Sequence, residues 1–158
     1  MKQSIIISAC LLGRECRYNG GHSKISKLES LDVDFIPVCP EEAGKLGTPR
    51  PPAELITSTK DIIEGSGKII TENGDDVTQQ FLDGSKKELS KLKSSNAQIA
   101  VLKSRSPSCG YGQVYDGTFT GKLCKGNGIF SQMCEDEGVT VISSDRIDSF
   151  IKDIKPKE

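Results

Sequence analysis

Cys10, Cys39 and Cys109 each stand just past an apolar run, where the chain turns: Ser8-Ala9-Cys10-Leu11-Leu12-Gly13, Pro37-Val38-Cys39-Pro40-Glu41 and Ser106-Pro107-Ser108-Cys109-Gly110. Thiolates are soft donors, and a set of three or four selects zinc or an iron–sulfur cluster. A structural zinc takes four closed ligands, usually supplied as close pairs. Three well-separated cysteines suit a cubane cluster better, because each of three corners takes one thiolate and the fourth iron stays open. Cys16, six residues after Cys10, is either a fourth ligand or a nearby thiol held back from the metal. Cys134 falls on an apolar stripe with Phe130 and Met133 and reads as core, whereas Cys124 sits in a loop and receives no role. His22, the one histidine, reads as a turn or helix-start residue rather than a ligand.

Carboxylates and hydroxyls accompany the thiols. Glu41 and Glu42 follow Cys39-Pro40. Proline with acids behind it is an ordinary helix start. Glu41, two residues from a candidate ligand, is equally placed to act beside an open metal position as a general acid or base, with Glu42 the second choice. Ser104, Ser106 and Ser108 alternate along the Cys109 motif, so some face a pocket there and the others cap the loop. Gly126 and Gly128 precede a helix without a full phosphate-binding fingerprint, a weak sign of anion binding.

The elements that must position these groups follow from periodicity. Strands are expected over Ser4–Ala9, Phe35–Cys39, Gln98–Lys103 and Val139–Ser143, whose near-continuous aliphatic runs fit strands buried on both faces. Apolar spacing predicts helices over Lys24–Leu31, Thr78–Ser94, Gly128–Glu137 and Ser144–Ile154, with Thr78 as an N-cap and Gly84 weakening the second. Alternation of this kind implies an α/β fold: a doubly wound, mostly parallel four-stranded sheet flanked by helices. Lys68–Val77 reads as a small hairpin insertion turning at Asn73-Gly74, and Thr48-Pro49-Arg50-Pro51-Pro52 as a stiff loop. Parallel strands share their carboxyl edge, so the three cysteines are expected to meet there, where open α/β sheets place ligands.

With 158 residues the chain is expected to form one domain over residues 1–154, followed by a tail at 155–158. The 21 Lys and Arg against 22 Asp and Glu leave a net charge of −1, without the basic excess of a strong nucleic-acid surface. Arg14, Arg17, Lys103 and Arg105 nevertheless flank two cysteine motifs, either as solvated loop charge or as a small basic mouth. No run reaches the roughly 18 apolar residues of a membrane span. The apolar run at Ile5–Ile7 is too short for a signal peptide. A cytoplasmic location is therefore expected, where thiols stay reduced and serve metals or catalysis in preference to disulfides. The absence of a C-x-x-C pair excludes thioredoxin-type redox chemistry and ordinary zinc ribbons.

The stretch Ser8–Gly13 with Cys16-Arg17-Tyr18-Asn19-Gly20, then Pro37–Glu41, Thr48-Pro49-Arg50 and Lys103–Gly110, resembles the thiouracil desulfidase family from about Ser4 to Ile147. Lys45 and Gly47 stand where the family pattern has Gly and Pro. The resemblance implies a 4Fe-4S cluster on Cys10, Cys39 and Cys109, with one iron not ligated by protein. It also implies an acid–base role for Glu41, and a serine near the substrate at Ser106, with Ser104 the lesser choice. The implied reaction removes sulfur from thiolated pyrimidines, either 2-thiouracil or 4-thiouridine-type nucleosides and nucleotides, by hydrolysis and without redox change. Two other classes stay open at this point: a non-catalytic zinc or iron–sulfur protein, and an enzyme that hands sulfide to an acceptor.

Overall fold

In the computed structural model, which describes residues 2–154, the runs that periodicity marks as buried strands form one sheet. Strand β1 covers Gln3–Ser8 and β2 Val33–Val38. Two short strands follow, β3 at Ala53–Leu55 and β4 at Ile69–Thr71. Strand β5 covers Ile99–Leu102, β6 Gln113–Tyr115, β7 Leu123–Lys125 and β8 Thr140–Ser143. Strands β2-β1-β5-β8 lie side by side in that order, all parallel. The expected α/β sheet is therefore present, with ends shifted by one or two residues.

The helices are α1 (Pro40–Ala43), α2 (Thr59–Glu64), α3 (Thr78–Ser95), α4 (Ile129–Asp136) and α5 (Ile147–Asp153). Ile5, Ile6 and Ile7 are fully buried because successive side chains point to opposite faces, both of them covered. Ile5 and Ile7 join Leu11, Leu28, Val101 and Phe150 on one face. Ile6 joins Leu92, Ala100, Phe130 and Cys134 on the other. A third cluster, with Leu55, Ile62, Ile69 and Phe81, supports the β3–β4 ribbon. No helix among the described residues is long and apolar enough to cross a membrane.

Four local expectations are corrected. Lys24–Leu31 is not an α-helix but a five-residue 3-10 segment, Ser26–Ser30. The Ser23 and Ile25 amides bond instead to the Cys10 and Leu11 carbonyls, and Leu31 is already extended, so too few residues remain for α turns. The Asn73-Gly74 turn exists, with Gly74 at φ +88°, but β4 pairs with β3 rather than with its own return limb. That limb makes one bridge, Ile70 to Asp76, and then starts α3. Thr78 is the first helical residue rather than the cap, and its hydroxyl donates to the Asp76 carboxylate. Cys124 lies on β7, in the β6–β7 hairpin that periodicity does not reveal, and its side chain is exposed. The proposed tail, residues 155–158, lies outside the described residues.

Gly84 has a use the sequence hides. A Cβ there would stand 1.8 Å from the Pro40 carbonyl oxygen, and one on Gly44 2.1 Å from that of Gln80. Paired glycines thus let α1 and α3 touch backbone to backbone, fixing the segment that carries Cys39 and Glu41.

Candidate active site

The sheet order reverses between β1 and β5, because β1 connects outward to β2 while β8 extends the other side. Open α/β sheets carry their ligand crevice at such a switch point, outside the carboxyl ends of the strands. Here the two strand ends are tied together: the Lys103 amide donates to Ser8 Oγ at 2.8 Å. A cavity of about 630 Å³ opens at this edge, lined by Cys10, Cys16, Cys39, Glu41, Ser106 and Cys109 among others. That volume is within the usual range for small-molecule sites.

Each cysteine arrives by its own route. Cys10 sits in the 3-10 turn Ala9–Leu12 that follows β1, ended by Gly13 at φ +105°. Cys39 directly follows β2 and precedes Pro40, the first residue of α1. Its amide donates to Glu88 Oε2 of α3 at 2.8 Å, and Lys91 Nζ stands 3.1 Å from the other oxygen of that buried carboxylate. Cys109 lies well beyond the end of β5. The loop between them folds back, with Ser104 N–H on Ser144 Oγ and Cys109 N–H on Ser106 Oγ at 3.1 Å.

Cys10, Cys39, Cys109 and Cys16 are 7%, 6%, 3% and 3% exposed, and all six cysteines are free thiols. Such crowding holds protons on the Cys16, Cys39 and Cys109 sulfurs. Cys16 is pushed up to about 11, first by hydrogen bonding with Cys10. Cys39 is raised by its contact with Cys16 and then by burial, and Cys109 by burial and then by the Glu41 charge. A cationic metal centre would relieve this arrangement by taking the thiolates as ligands. The donor set therefore fits a thiolate-bound metal or cluster. The most compact donor group is a different one: the Cys16 and Cys39 sulfurs and a Glu42 oxygen lie within 4.8 Å of one another. Cys10, Cys39 and Cys109 stand farther apart as a trio while facing one cavity.

Glu41 is almost fully buried at the cavity wall. Its Oε2 accepts from Cys39 Sγ at 3.6 Å and lies 3.9 Å from Arg50 Nη2; its Oε1 accepts from Ser108 Oγ. Ser108 Oγ lies 3.0 Å from Ser106 Oγ and 3.6 Å from Cys109 Sγ. Ser106 lines the cavity, so a chain of hydroxyls runs from it through Ser108 to Glu41. The stiff loop at Thr48–Pro52 serves this group: the Arg50 guanidinium also donates to the Cys16 carbonyl at 3.0 Å. Ser104 is buried and lines the same cavity; Glu42 is exposed and pairs with Arg14 at 3.6 Å. Lys103 holds its proton less tightly than usual because it is desolvated and faces Arg17 and Arg105. Cys134 is fully buried in the core, as its stripe requires, and His22 is outside the cavity lining, its ring accepting from the Lys24 amide. The Ser108–Glu41 contact, the Arg50 clamp and the Glu88 carboxylate have no signature in spacing alone.

The sequence profile of the 2-thiouracil desulfurase family matches residues 5–146. An uncharacterized protein of Bacillus subtilis (strain 168), YbbK, is 41% identical over 150 residues, covering 93% of this chain and 99% of its own. A solved structure of the [4Fe-4S]-dependent thiouracil desulfidase TudS superposes with a TM-score of 0.83 at 37% identity, covering 94% of this chain and 95% of that one. On its sequence and its fold alike, the chain belongs to the 2-thiouracil desulfurase family.

Proposed function

We propose that this protein is an iron–sulfur-dependent desulfidase that hydrolyses the carbon–sulfur bond of a thiolated pyrimidine, giving the oxo-pyrimidine and hydrosulfide. The observation that carries this reading is the placement of a buried, serine- and arginine-held carboxylate, Glu41, in the same cavity as the Cys10, Cys39 and Cys109 thiols. Family membership and the likeness to TudS support it.

Cys10, Cys39 and Cys109 would hold a 4Fe-4S cluster with one iron free of protein ligands. When bound, that cluster supplies a soft Lewis acid that polarises a thiocarbonyl. The rest falls to the chain. Glu41 takes a proton from water, which forms the new carbon–oxygen bond at the ring carbon bearing sulfur. Ser108 and Arg50 hold the carboxylate at the cavity wall. Ser106 hydrogen-bonds the ring at its developing charge. As the carbon–sulfur bond breaks, the proton on Glu41 passes to the leaving sulfur and the second water proton is lost to solvent as the carbonyl forms, so no electrons are exchanged. Tyr18, Tyr115 and Phe119 at the cavity wall offer faces for a pyrimidine. Arg17, Lys103 and Arg105 make that wall positive and suit a substrate or product of negative charge.

The test uses anaerobically reconstituted protein with 2-thiouracil, 4-thiouridine and its 5′-monophosphate in ¹⁸O-water. Hydrosulfide release with ¹⁸O in the pyrimidine is expected for at least one of them. No release from any, or release only with an added thiol acceptor, overturns the reading. Cys10→Ser, Cys39→Ser and Cys109→Ser should each lose bound iron.

A further inference from the structure

Cys16 is left unused by the cluster reading, yet it is as buried as the thiols that are used. Its loop is held inward by Arg50, which binds the Cys16 carbonyl. With the Cys39 sulfur and a Glu42 oxygen its sulfur forms a group within 4.8 Å, and the Cys10 thiol stands beside Cys16 but outside that group. A single tetrahedral zinc ion with sulfur bonds of about 2.3 Å sets neighbouring sulfurs roughly 3.8 Å apart, so a small contraction closes this group on one ion. Thiolates at the corners of a cubane stand farther apart, because a cluster edge separates them. Cys16 and Cys39 are thus spaced for one ion rather than for two corners.

We propose that Cys16, with Cys10 and Cys39 as thiolates and Glu42 as oxygen donor, forms a mononuclear site for zinc or a similar soft divalent cation in the cluster-free protein. Each thiol releases its proton to solvent as its sulfur–metal bond forms, and no redox partner is needed. Three thiolates and a carboxylate exceed the charge of the ion. Arg14, 3.6 Å from Glu42, and Arg50 beside Cys16 offset the excess. Because Cys10 and Cys39 belong to both donor sets, the ion and the cluster exclude one another. Zinc then acts as a competitor of cluster assembly, and Cys16 as the residue that makes the chain vulnerable to it.

Reduced, cluster-free full-length protein titrated with Co²⁺ under anaerobic conditions should bind one ion per chain. Intense tetrahedral ligand-field bands and thiolate charge-transfer absorption are expected, bleached by one equivalent of Zn²⁺. Cys16→Ala should weaken Co²⁺ binding at least tenfold and reduce the charge-transfer intensity by about a third, yet still assemble the cluster. Cys109→Ser should do the reverse, binding Co²⁺ as tightly as the unmodified protein while failing to hold a cluster. Zinc added first should block cluster assembly in the unmodified protein and not in Cys16→Ala. Cys16→Val, which refills the buried volume, and the exposed Glu42→Gln give the same comparison if the alanine variant melts early. Equal weakening by Cys109→Ser and Cys16→Ala, or no tetrahedral cobalt spectrum at all, overturns the site. None of these readouts involves turnover, so the desulfidase reading stands or falls separately.

Discussion

Glu41 owes its position to groups drawn from three parts of the chain: Cys39 beside it, Ser108 from the β5 loop and Arg50 from the proline-rich loop. Its proposed acid–base role gives a prediction at this scale. Glu41→Gln should lower turnover by a factor on the order of 10² to 10⁴, the usual contribution of general acid–base catalysis. Iron and inorganic sulfide content per chain should be unchanged. Ser108→Ala, which frees the carboxylate without removing it, should cost less than Glu41→Gln, and equal loss in both would assign Ser108 a proton-carrying part of its own. A second prediction separates the bystander cysteines. Burial, then the Glu137 charge, pushes the Cys134 thiol up to about 12, so the thiolate is scarce at pH 8. Brief treatment of the native protein with iodoacetamide should label exposed Cys124 and spare Cys134, read by mass spectrometry of the peptides.

At the scale of elements, the site depends on how α1 meets α3. Gly84→Ala would drive a Cβ into the Pro40 carbonyl, so α1 must shift. A loss of about 1–3 kcal/mol, typical of overpacking, is expected by denaturant unfolding, although alanine is the better helix former. Lys45 closes α1 in the left-handed region at φ 66°, where glycine alone carries no steric cost. Lys45→Gly should stabilise the fold by up to about 1 kcal/mol, since relief of the left-handed cost exceeds the extra chain entropy of glycine. The four sheet strands were legible because each carries a short aliphatic run, unbroken in the central β1 and β5, a pattern that burial on both faces produces. The β6–β7 hairpin was not, because its three-residue strands are mostly exposed and lack alternation. Lys24–Leu31 misled because its spacing is helical while its backbone bonds go to the Cys10 turn. Cys10, Cys39 and Glu41 could be nominated from residue type just past a strand end, whereas Cys109, nominated the same way, stands on a loop that folds back beyond β5. Arg50 and Glu88 could not, and Ser108 could be named only as one of three alternating serines, since each matters through a partner far away in sequence.

For the whole molecule, a cluster on Cys10, Cys39 and Cys109 would join the segments after β1, β2 and β5 at one end of the sheet. Its removal by chelator under reducing conditions should lower the melting temperature, because a ligand bound only by the folded state stabilises that state. Hydrogen exchange should quicken mainly in residues 10–22 and 103–110, whereas the α4 core should change little. Uniform loss of protection across the sheet would mean instead that the cluster is needed for folding itself.

The switch between β1 and β5 also has a bearing on how the protein is made. Cys10 leaves the ribosome long before Cys109, and β5 must be slotted beside β1 before the third thiol comes near the other two. A nascent or partly folded chain offers an iron carrier only an incomplete receptacle. Delivery of the proposed cluster would therefore be a late, post-translational event, and the finished sheet would serve as its own quality check: only a correctly threaded chain would present all three thiols to iron.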